Sequence, residues 1–462
     1  MSSTASQTGI VSFEEARRIV EEHAAKLLAA RADLGVTEIT DLLAARGRVL
    51  AEAIIADRDF PPFPRATRDG YAVRAADVAQ VPARLDLIGE IRAGDLVIGP
   101  APDAAAAAVI GEEKLKDGAI TVNRGQAVSI MTGAALPEGA DAVVMVEYTK
   151  ASGNSIEIQR SVATGENFVP QGAEARAGQV LVERSRRVDH AVIAMAAAVG
   201  ASRLRVFRRP RVAVLSTGDE VVEITATPGP AQIRNSNSYS LSAQIEEAGG
   251  EAVRLPIAPD EPKRLRELLE EGLACDLLLI TGGVSMGKYD LVEQVLSEMK
   301  AEFYFTGARI QPGKPIVFGS CLCGADTPVR APAVDGRLAQ TGVSALHEPA
   351  PQYFFGLPGN PVSTMVTFRL FARPLLETLA GIKADPLVFL KARLKAEVRT
   401  KTGLTRFLPA AISGEFEDGE VELADWQGSG DIAALAWANC YLVIPPDRER
   451  IGAGEWVSVL LP

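Results

Sequence analysis

Cysteine and histidine are scarce: the 462-residue chain holds four of the first and three of the second. The cysteines are Cys275, Cys321, Cys323 and Cys440, and only Cys321 and Cys323 stand close enough in sequence to suggest a metal or redox pair. One C-x-C with no second ligand pair nearby is a weak signal, so a reduced, cytoplasmic protein is expected. His190 and His347 have no neighbouring Cys or His. His23 shares a helical face with Ala16, Val20 and Leu27, which reads as packing. A His-rich zinc site and a Ser-His-Asp triad are both poorly supported. Excess positive charge is also missing. The net charge of −11 argues against a general binder of nucleic acid or anionic membrane, while leaving room for a local basic pocket. The opening MSSTASQTGIVSFEEARR has no apolar signal core. The longest run of low polarity, AVIAMAAAVGA (Ala191 to Ala201), is too short to span a bilayer and reads as a buried helix. There is no P-loop, no convincing G-x-G-x-x-G fingerprint and no tandem repeat of solenoid length.

What is present points to several domains. The length alone suggests two to four. SFEEARRIVEEHAAKLL places Ser12 and Glu15 at capping-box spacing ahead of a helical period. After PPFPRATRDGYAV (Pro61 to Val73), short β-like runs such as LDLIGEI and AVSIMTG predict a small β-rich domain to about residue 157. From Arg211 to about Ala380 strands alternate with helices of about ten residues, which predicts a mainly parallel, doubly wound α/β sheet. Residues 320–352, rich in Pro, Ala and Gly, read as a surface insertion in that domain. From about Leu390, segments such as CYLVIPP and EWVSVLL predict a compact β domain.

The ends of the predicted α/β strands carry the chemistry, because ligands of open α/β sheets bind beyond the carboxyl ends of the strands. RVAVL is followed by STGDE (Ser216 to Glu220), DLLLI by TGGVSMGKYD (Thr281 to Asp290), and YFFGL by PGNPVS (Pro358 to Ser363). Gly282, Gly283 and Gly359 allow close backbone approach. Helix N-termini offer N–H groups to anions, and Thr217, Ser285 and Ser363 add hydroxyls. The set suggests a phosphate- or pterin-like ligand; tight βα turns are the bland alternative. Asp219 and Asp290 would lie at the same rim, where a divalent metal such as Mg²⁺ would reconcile them with an anion. The alternative is that one caps a turn and the other a helix. Lys314, in QPGKPIVFG, offers positive charge from a neighbouring loop.

Taken together, these stretches resemble the molybdopterin molybdenumtransferase family, which includes bacterial MoeA and the E domain of gephyrin. DGYAV (Asp69 to Val73), MTGAALPEGADAVVMVE (Met131 to Glu147), and GEN with AGQVL (Gly165 to Leu181) are followed by STGDE, SNSYSL, TGGVSMGKYD, PGKP, LPGNPVS and GSGDIAALAWANCYLVIPPD, in the family's order. The resemblance implies a multidomain α/β plus β fold. It places a discontinuous linking domain at 1–62 and 158–205 and an inserted β-rich domain at 63–157. A molybdopterin-binding α/β domain follows at 206–382, then a C-terminal β-barrel at 383–462. It also implies a homodimer that consumes adenylylated molybdopterin and molybdate, with Mg²⁺, and releases AMP. The molybdopterin adenylyltransferase and apo-molybdoenzymes become candidate partners. By resemblance Asp69, Thr132, Asp141, Asp219 and Asp290 are the polar active-site candidates, with Asp219 and Asp290 on the metal. Thr217, Gly282, Gly283, Ser285, Lys314, Pro358, Asn360, Pro361 and Ser363 would shape the substrate pocket.

The chain departs from the family's pattern in places. The family reads close to F-D-N-S-A-M-D-G-Y-A where this chain has FPRATRDGYA, so Pro64, Arg65 and Arg68 replace an acid, an amide and a methionine. Ala173 stands for a glutamate, with Glu174 next to it. Asn235 stands for an aspartate and Gln311 for a lysine. Arg65 and Arg68 could bind an oxyanion or phosphate directly. A divergent enzyme using tungstate, or a non-catalytic molybdopterin-binding scaffold, are the alternative readings.

Overall fold

The computed structural model describes residues 9–31, 37–95, 120–283, 291–322, 351–382 and 386–462. Ser285, Asp290, Cys323, His347 and most of the 320–352 insertion lie outside them. By contacts the chain divides into two units. One is Met1–Glu52 with Ser185–His190 and Arg203–Pro462; the other is Ala53–Arg184 with Ala191–Ser202. Helix α1 (Phe13–Arg31) starts where its cap predicts: the Glu15 N–H donates to Ser12 Oγ at 3.1 Å. Among the described residues only this half of the capping box forms, because the Glu15 carboxylate takes Arg18 instead.

The second unit holds a six-stranded sheet. Its strands are β1 (Gly70–Val73), β2 (Ala83–Ile91), β3 (Gln126–Ile130), β4 (Ala142–Met145), β5 (Thr149–Ser152) and β6 (Ser155–Ile158), in the order β4-β1-β3-β2-β6-β5. Alternation buries both faces. Ala72, Val128, Ile130 and Val143 fill one cluster, and Val73, Ala127, Ala142 and Val144 the other. Helix α2 (His190–Ala198) corrects the expectation of a buried helix. Only Val192 and Ala196 are buried, while Ala191, Ala194, Ala197 and Ala198 are exposed. A helix that is apolar all round has no period from which to tell an interior from an uncovered surface.

In the first unit the α/β alternation appears as predicted. Strands β7 (Arg211–Ser216), β8 (Glu251–Arg254), β9 (Leu277–Thr281), β10 (Glu302–Phe305), β11 (Val317–Cys321) and β12 (Gln352–Leu357) form one sheet, ordered β8-β7-β9-β12-β11-β10. The first four in that order are parallel; β11 is antiparallel to both its neighbours. Strand β11 was not foreseen, and it moves the ends of the insertion. Ser320 pairs with Tyr353 and Cys321 with Gln352, so these positions are strand. Cys321 is disulfide-bonded, while Cys275 and Cys440 are free and buried.

Helices α3 (Asn237–Ala248), α4 (Pro262–Leu273) and α5 (Leu291–Glu298) cover the sheet. So do α6 (Pro361–Thr367), a π turn (Phe368–Ala372) and α7 (Arg373–Leu379). Along β7, Val212 and Val214 face the cluster shared with α1, α3 and α7, whereas Ala213 and Leu215 face α4 and α5. Both faces are therefore dry, as parallel sheets require. The tail forms a closed ring: β13 (Phe389–Leu394), β14 (Thr405–Ser413), β15 (Glu420–Leu423), β16 (Cys440–Ile444) and β17 (Trp456–Leu460), joined β14-β15-β13-β17-β16 and back to β14. Closure removes the unpaired edges that an open sheet would expose.

Helix α1 lays Phe13, Ala16, Val20 and Ala24 into the larger cluster, where Phe13 meets Phe371 and Phe407 edge-on. His23 does pack. Its ring lies 3.9 Å from that of Tyr304 and its Nδ1 is 3.2 Å from Tyr353 Oη. Burial, and then the charge of Lys26, pull its pKa down to about 4. Unfolding frees it to titrate near its ordinary value of 6.5. The unfolded chain therefore binds the extra proton between those values, and stability is lost as pH falls through that window. Thermal denaturation followed from pH 7.5 to 4.5 is expected to show that loss, and His23→Phe to flatten it. An equal slope in both proteins would contradict this placement.

Candidate functional site

A cleft of about 380 Å³ opens at the carboxyl ends of β7, β9 and β12, lined from Ser216 and Thr217, from Thr281 to Gly283, and from Pro358 to Pro361. This is where a parallel sheet presents loops to a ligand. Gly282 (φ 87°) and Gly283 (φ 61°) both take the left-handed conformation. A Cβ on Gly282 would sit 2.6 Å from the Thr217 carbonyl, and one on Gly283 2.7 Å from Thr217 Oγ1. Only glycine fits either position, and its bare backbone forms the floor.

Among the described residues, two buried polar atoms of this cleft have no protein partner: Thr217 Oγ1 and Asn237 Oδ1. Asn237 is oriented by its other end, where Nδ2 donates to Thr281 Oγ1 at 2.8 Å and to the Gly359 carbonyl at 2.7 Å. The carbonyl end is thus an acceptor held for a ligand's donor. An orphaned buried group costs roughly 1–3 kcal/mol, which a bound ligand would offset. Asn237 lies within the quoted SNSYSL stretch, but its donors can be traced only in three dimensions. Glu220 and Arg234 also line the cleft and were not nominated. Asn235, buried in the cleft's wall, accepts at Oδ1 from Ser216 Oγ and from the Ser238 N–H, both at 3.1 Å. Amide in place of carboxylate keeps the acceptor and spares a buried charge.

The other nominated residues of this unit are placed less centrally. Asn360 Nδ2 donates to Ser429 Oγ at 2.9 Å. Lys314 is exposed beside Pro315, which lines the cleft. Ser363 is buried inside α6 and is not a lining residue. Asp219 is exposed, and its Oδ1 accepts from the Asp260 N–H at 3.1 Å. The Asp260 carboxyl is pushed up by burial and then by the charges of Asp219 and Glu220. Among the described residues no three His, Cys, Asp or Glu side chains group together, and of the two expected magnesium ligands only Asp219 is described. Gln311 accepts from the Nε of Arg406 at 2.9 Å. Arg406, which sequence reasoning missed, is buried, and its partners among the described residues are the neutral Gln311 side chain and the Leu404 carbonyl. A lysine at 311 would set two cations together there.

The remaining candidates belong to the second unit. Asp69 Oδ1 accepts from the Thr132 N–H at 2.7 Å and from its hydroxyl at 2.8 Å. Those two bonds hold the Asp69 carboxyl below its usual range. Asp141 ties two other segments of this unit together: Oδ1 accepts from the Ala75 N–H and Oδ2 from the Thr164 hydroxyl. Arg65 lies 3.0 Å from Glu174, so two of the family departures answer each other as an ion pair. Arg68 is exposed.

Replacing Thr217 by Val keeps the shape and deletes the orphaned hydroxyl. Calorimetry is expected to show pterin affinity about tenfold weaker, near 1.4 kcal/mol, with thermal stability equal or higher. Lower stability with unchanged affinity would make the hydroxyl structural.

Three family descriptions match the chain in order: "MoeA N-terminal region (domain I and II)" over residues 11–200, "Probable molybdopterin binding domain" over 213–378 and "MoeA C-terminal region (domain IV)" over 391–461. The molybdopterin molybdenumtransferase of a Nostoc species is 33% identical over 433 residues, covering 92% of this chain and 88% of that protein. The enzyme of the same name from Bacillus subtilis is 31% identical over 439 residues, covering 92% and 90%. A crystal structure of the molybdopterin biosynthesis MoeA protein from Pyrococcus horikoshii superposes with a TM-score of 0.71 at 28% identity, covering 98% of this chain and all of that one. The chain belongs to the MoeA family of molybdopterin molybdenumtransferases.

Proposed function

We propose that this chain acts in molybdenum cofactor biosynthesis, inserting molybdenum from molybdate into adenylylated molybdopterin with release of AMP. The observation that carries the reading is the cleft at the strand ends. There Thr217 Oγ1 and Asn237 Oδ1 wait unpartnered above bare glycine backbone, inside the segment matching a molybdopterin-binding description. The pterin's polar edge would satisfy them. Arg234 supplies a cation at the wall for the anionic end of the substrate. The chemistry asks for two anions held together while a phosphoanhydride breaks, which is largely a task of positioning. Asp69 suits a part in it: ionised, exposed, and bound through Oδ1 only, it leaves Oδ2 for substrate. Asp141 positions the loop at Thr164 and Gly165.

The finer parts of the reading are also proposals. The exposed apolar side of α2 supports a homodimer, since a lone chain leaves it in water. No described helix is long and apolar enough to cross a membrane; cytoplasmic placement rests on the biosynthetic role. The molybdopterin adenylyltransferase would supply the substrate and apo-molybdoenzymes take the product. Magnesium is proposed as a requirement at Asp219 with Asp290, and no step is routed through it.

AMP release from adenylylated molybdopterin, followed alongside reconstitution of an apo-molybdoenzyme, tests the activity. Both are expected to depend on molybdate and to fall at least about tenfold in Asp69→Ala, the order of a lost positioned group. A tungstate arm separates the two oxyanions. Tight substrate binding with neither signal would leave a binding protein. Titrating Mg²⁺ after chelation tests the metal: Asp219→Ala is expected to raise the concentration for half-maximal AMP release, and an unchanged midpoint would remove Asp219 from that role.

A further inference from the structure

A second cavity, of about 230 Å³, opens between α3, the π turn and β16, away from the strand-end cleft. Its charges do not balance. Arg369, in the π turn, donates from Nε to the Leu461 carbonyl at 3.3 Å. Its terminal amino groups have no hydrogen bond or ion pair among the described residues. Arg373, one turn on, lies 3.0 Å from Glu377, which Arg187 also approaches at 3.7 Å. Two guanidiniums thus share one carboxylate, and Glu247 is an exposed residue of the cavity wall. Burial, and then the charge of Arg373, hold Arg369 below the usual arginine range. A half-buried cation whose neighbouring carboxylate, Glu377, is already engaged by two other arginines is unfavourable unless something else completes it.

Two further features point to a ligand. Gln244 donates from Nε2 to the Met365 carbonyl at 3.2 Å, which leaves Oε1 buried with no partner at the cavity. The arginine also sits on a π turn, a rare local form frequent at functional sites. Met365, Phe368 and Leu435 provide an apolar wall beside these groups. Ligand pockets for drug-sized molecules run to roughly 300–1,000 Å³. This one is smaller, which favours a fragment-sized guest over a nucleotide or the pterin.

We propose that this cavity binds a small organic anion, with its carboxylate or phosphate on Arg369 and Arg373, its apolar body against Met365, Phe368 and Leu435, and a hydrogen-bond donor on Gln244 Oε1. Arginine suits that task because its planar fork meets carboxylate and phosphate oxygens two at a time. The molecule bound would be distinct from the substrates of the strand-end cleft.

Titration calorimetry on the full chain tests the site with three probes: L-phenylalanine, phenyl phosphate and inorganic phosphate. At least one of the two organic anions is expected to bind saturably at or below millimolar concentration, and inorganic phosphate at least tenfold more weakly. The organic probe that binds identifies the head group. Arg369→Gln is expected to weaken that binding at least tenfold without lowering the melting temperature of the free protein, since it deletes an uncompensated charge. If that variant does not fold, Arg369→Lys, which keeps the charge and loses the fork, is expected to weaken binding in the same sense. Gln244→Met is expected to weaken phenylalanine, which carries a donor, more than phenyl phosphate. No binding of either organic probe, equal binding of inorganic phosphate, or binding indifferent to the Arg369 substitutions would overturn the proposal.

Discussion

The ends of two parallel strands are held almost in contact, and the site depends on it. The Thr217 N–H donates to the Thr281 carbonyl at 3.0 Å, and the glycines that follow Thr281 lie against Thr217 so closely that neither could carry a side chain. Gly359 comes from a third strand end, and a Cβ there would lie 3.5 Å from Gly282 Cα. Asn237 then ties these ends together, with one amide bridging Thr281 and Gly359. The cleft is therefore formed by backbone under tight steric constraint, and its few side chains are aimed by their own hydrogen bonds. Such a surface is pre-organised for a ligand with polar edges, since little has to be ordered on binding.

The substitutions that set this chain apart from its family's pattern mostly find partners of suitable charge. Asn235 keeps the two bonds that a carboxylate would accept. Gln311 offers an oxygen to buried Arg406. Arg65 and Glu174, both departures, form one ion pair. That pair is well exposed, so it is worth little to stability; its effect is to occupy Arg65. Of the two added arginines, Arg68 is then the one that forms no ion pair among the described residues.

Charge is treated differently deeper in the first unit. Arg406 is almost fully buried with only neutral acceptors among the described residues, and Arg187 and Arg369 are half-buried around a single glutamate. Arg406 and Arg369 sit on a strand and a π turn that carry the rigid core, whose aromatic residues Phe13, Phe371 and Phe407 pack edge-on. A rigid frame can hold a guanidinium in an unfavourable place, where a flexible loop would release it to water. That is why such arginines are informative on a packed helix and uninformative on a surface strand.

Sequence alone determined the repeating elements and the loops. Period-3.6 and apolar runs marked α1, the α/β alternation and the barrel segments, because each buries a face whose spacing is local. Glycine and hydroxyl residues after apolar runs marked the strand ends, because the close approach there excludes other residues. Tertiary structure decided what depends on partners distant in the chain. Strand β11 hid in PIVFGSC, since its character comes from pairing with β12 across the insertion. The apolar α2 read as buried, since composition carries no record of what covers a helix. Asn237 and Arg369 were ordinary letters until folding used one end of each side chain and left the other without a partner, and only the assembled neighbourhood shows which polar atoms remain free for a ligand.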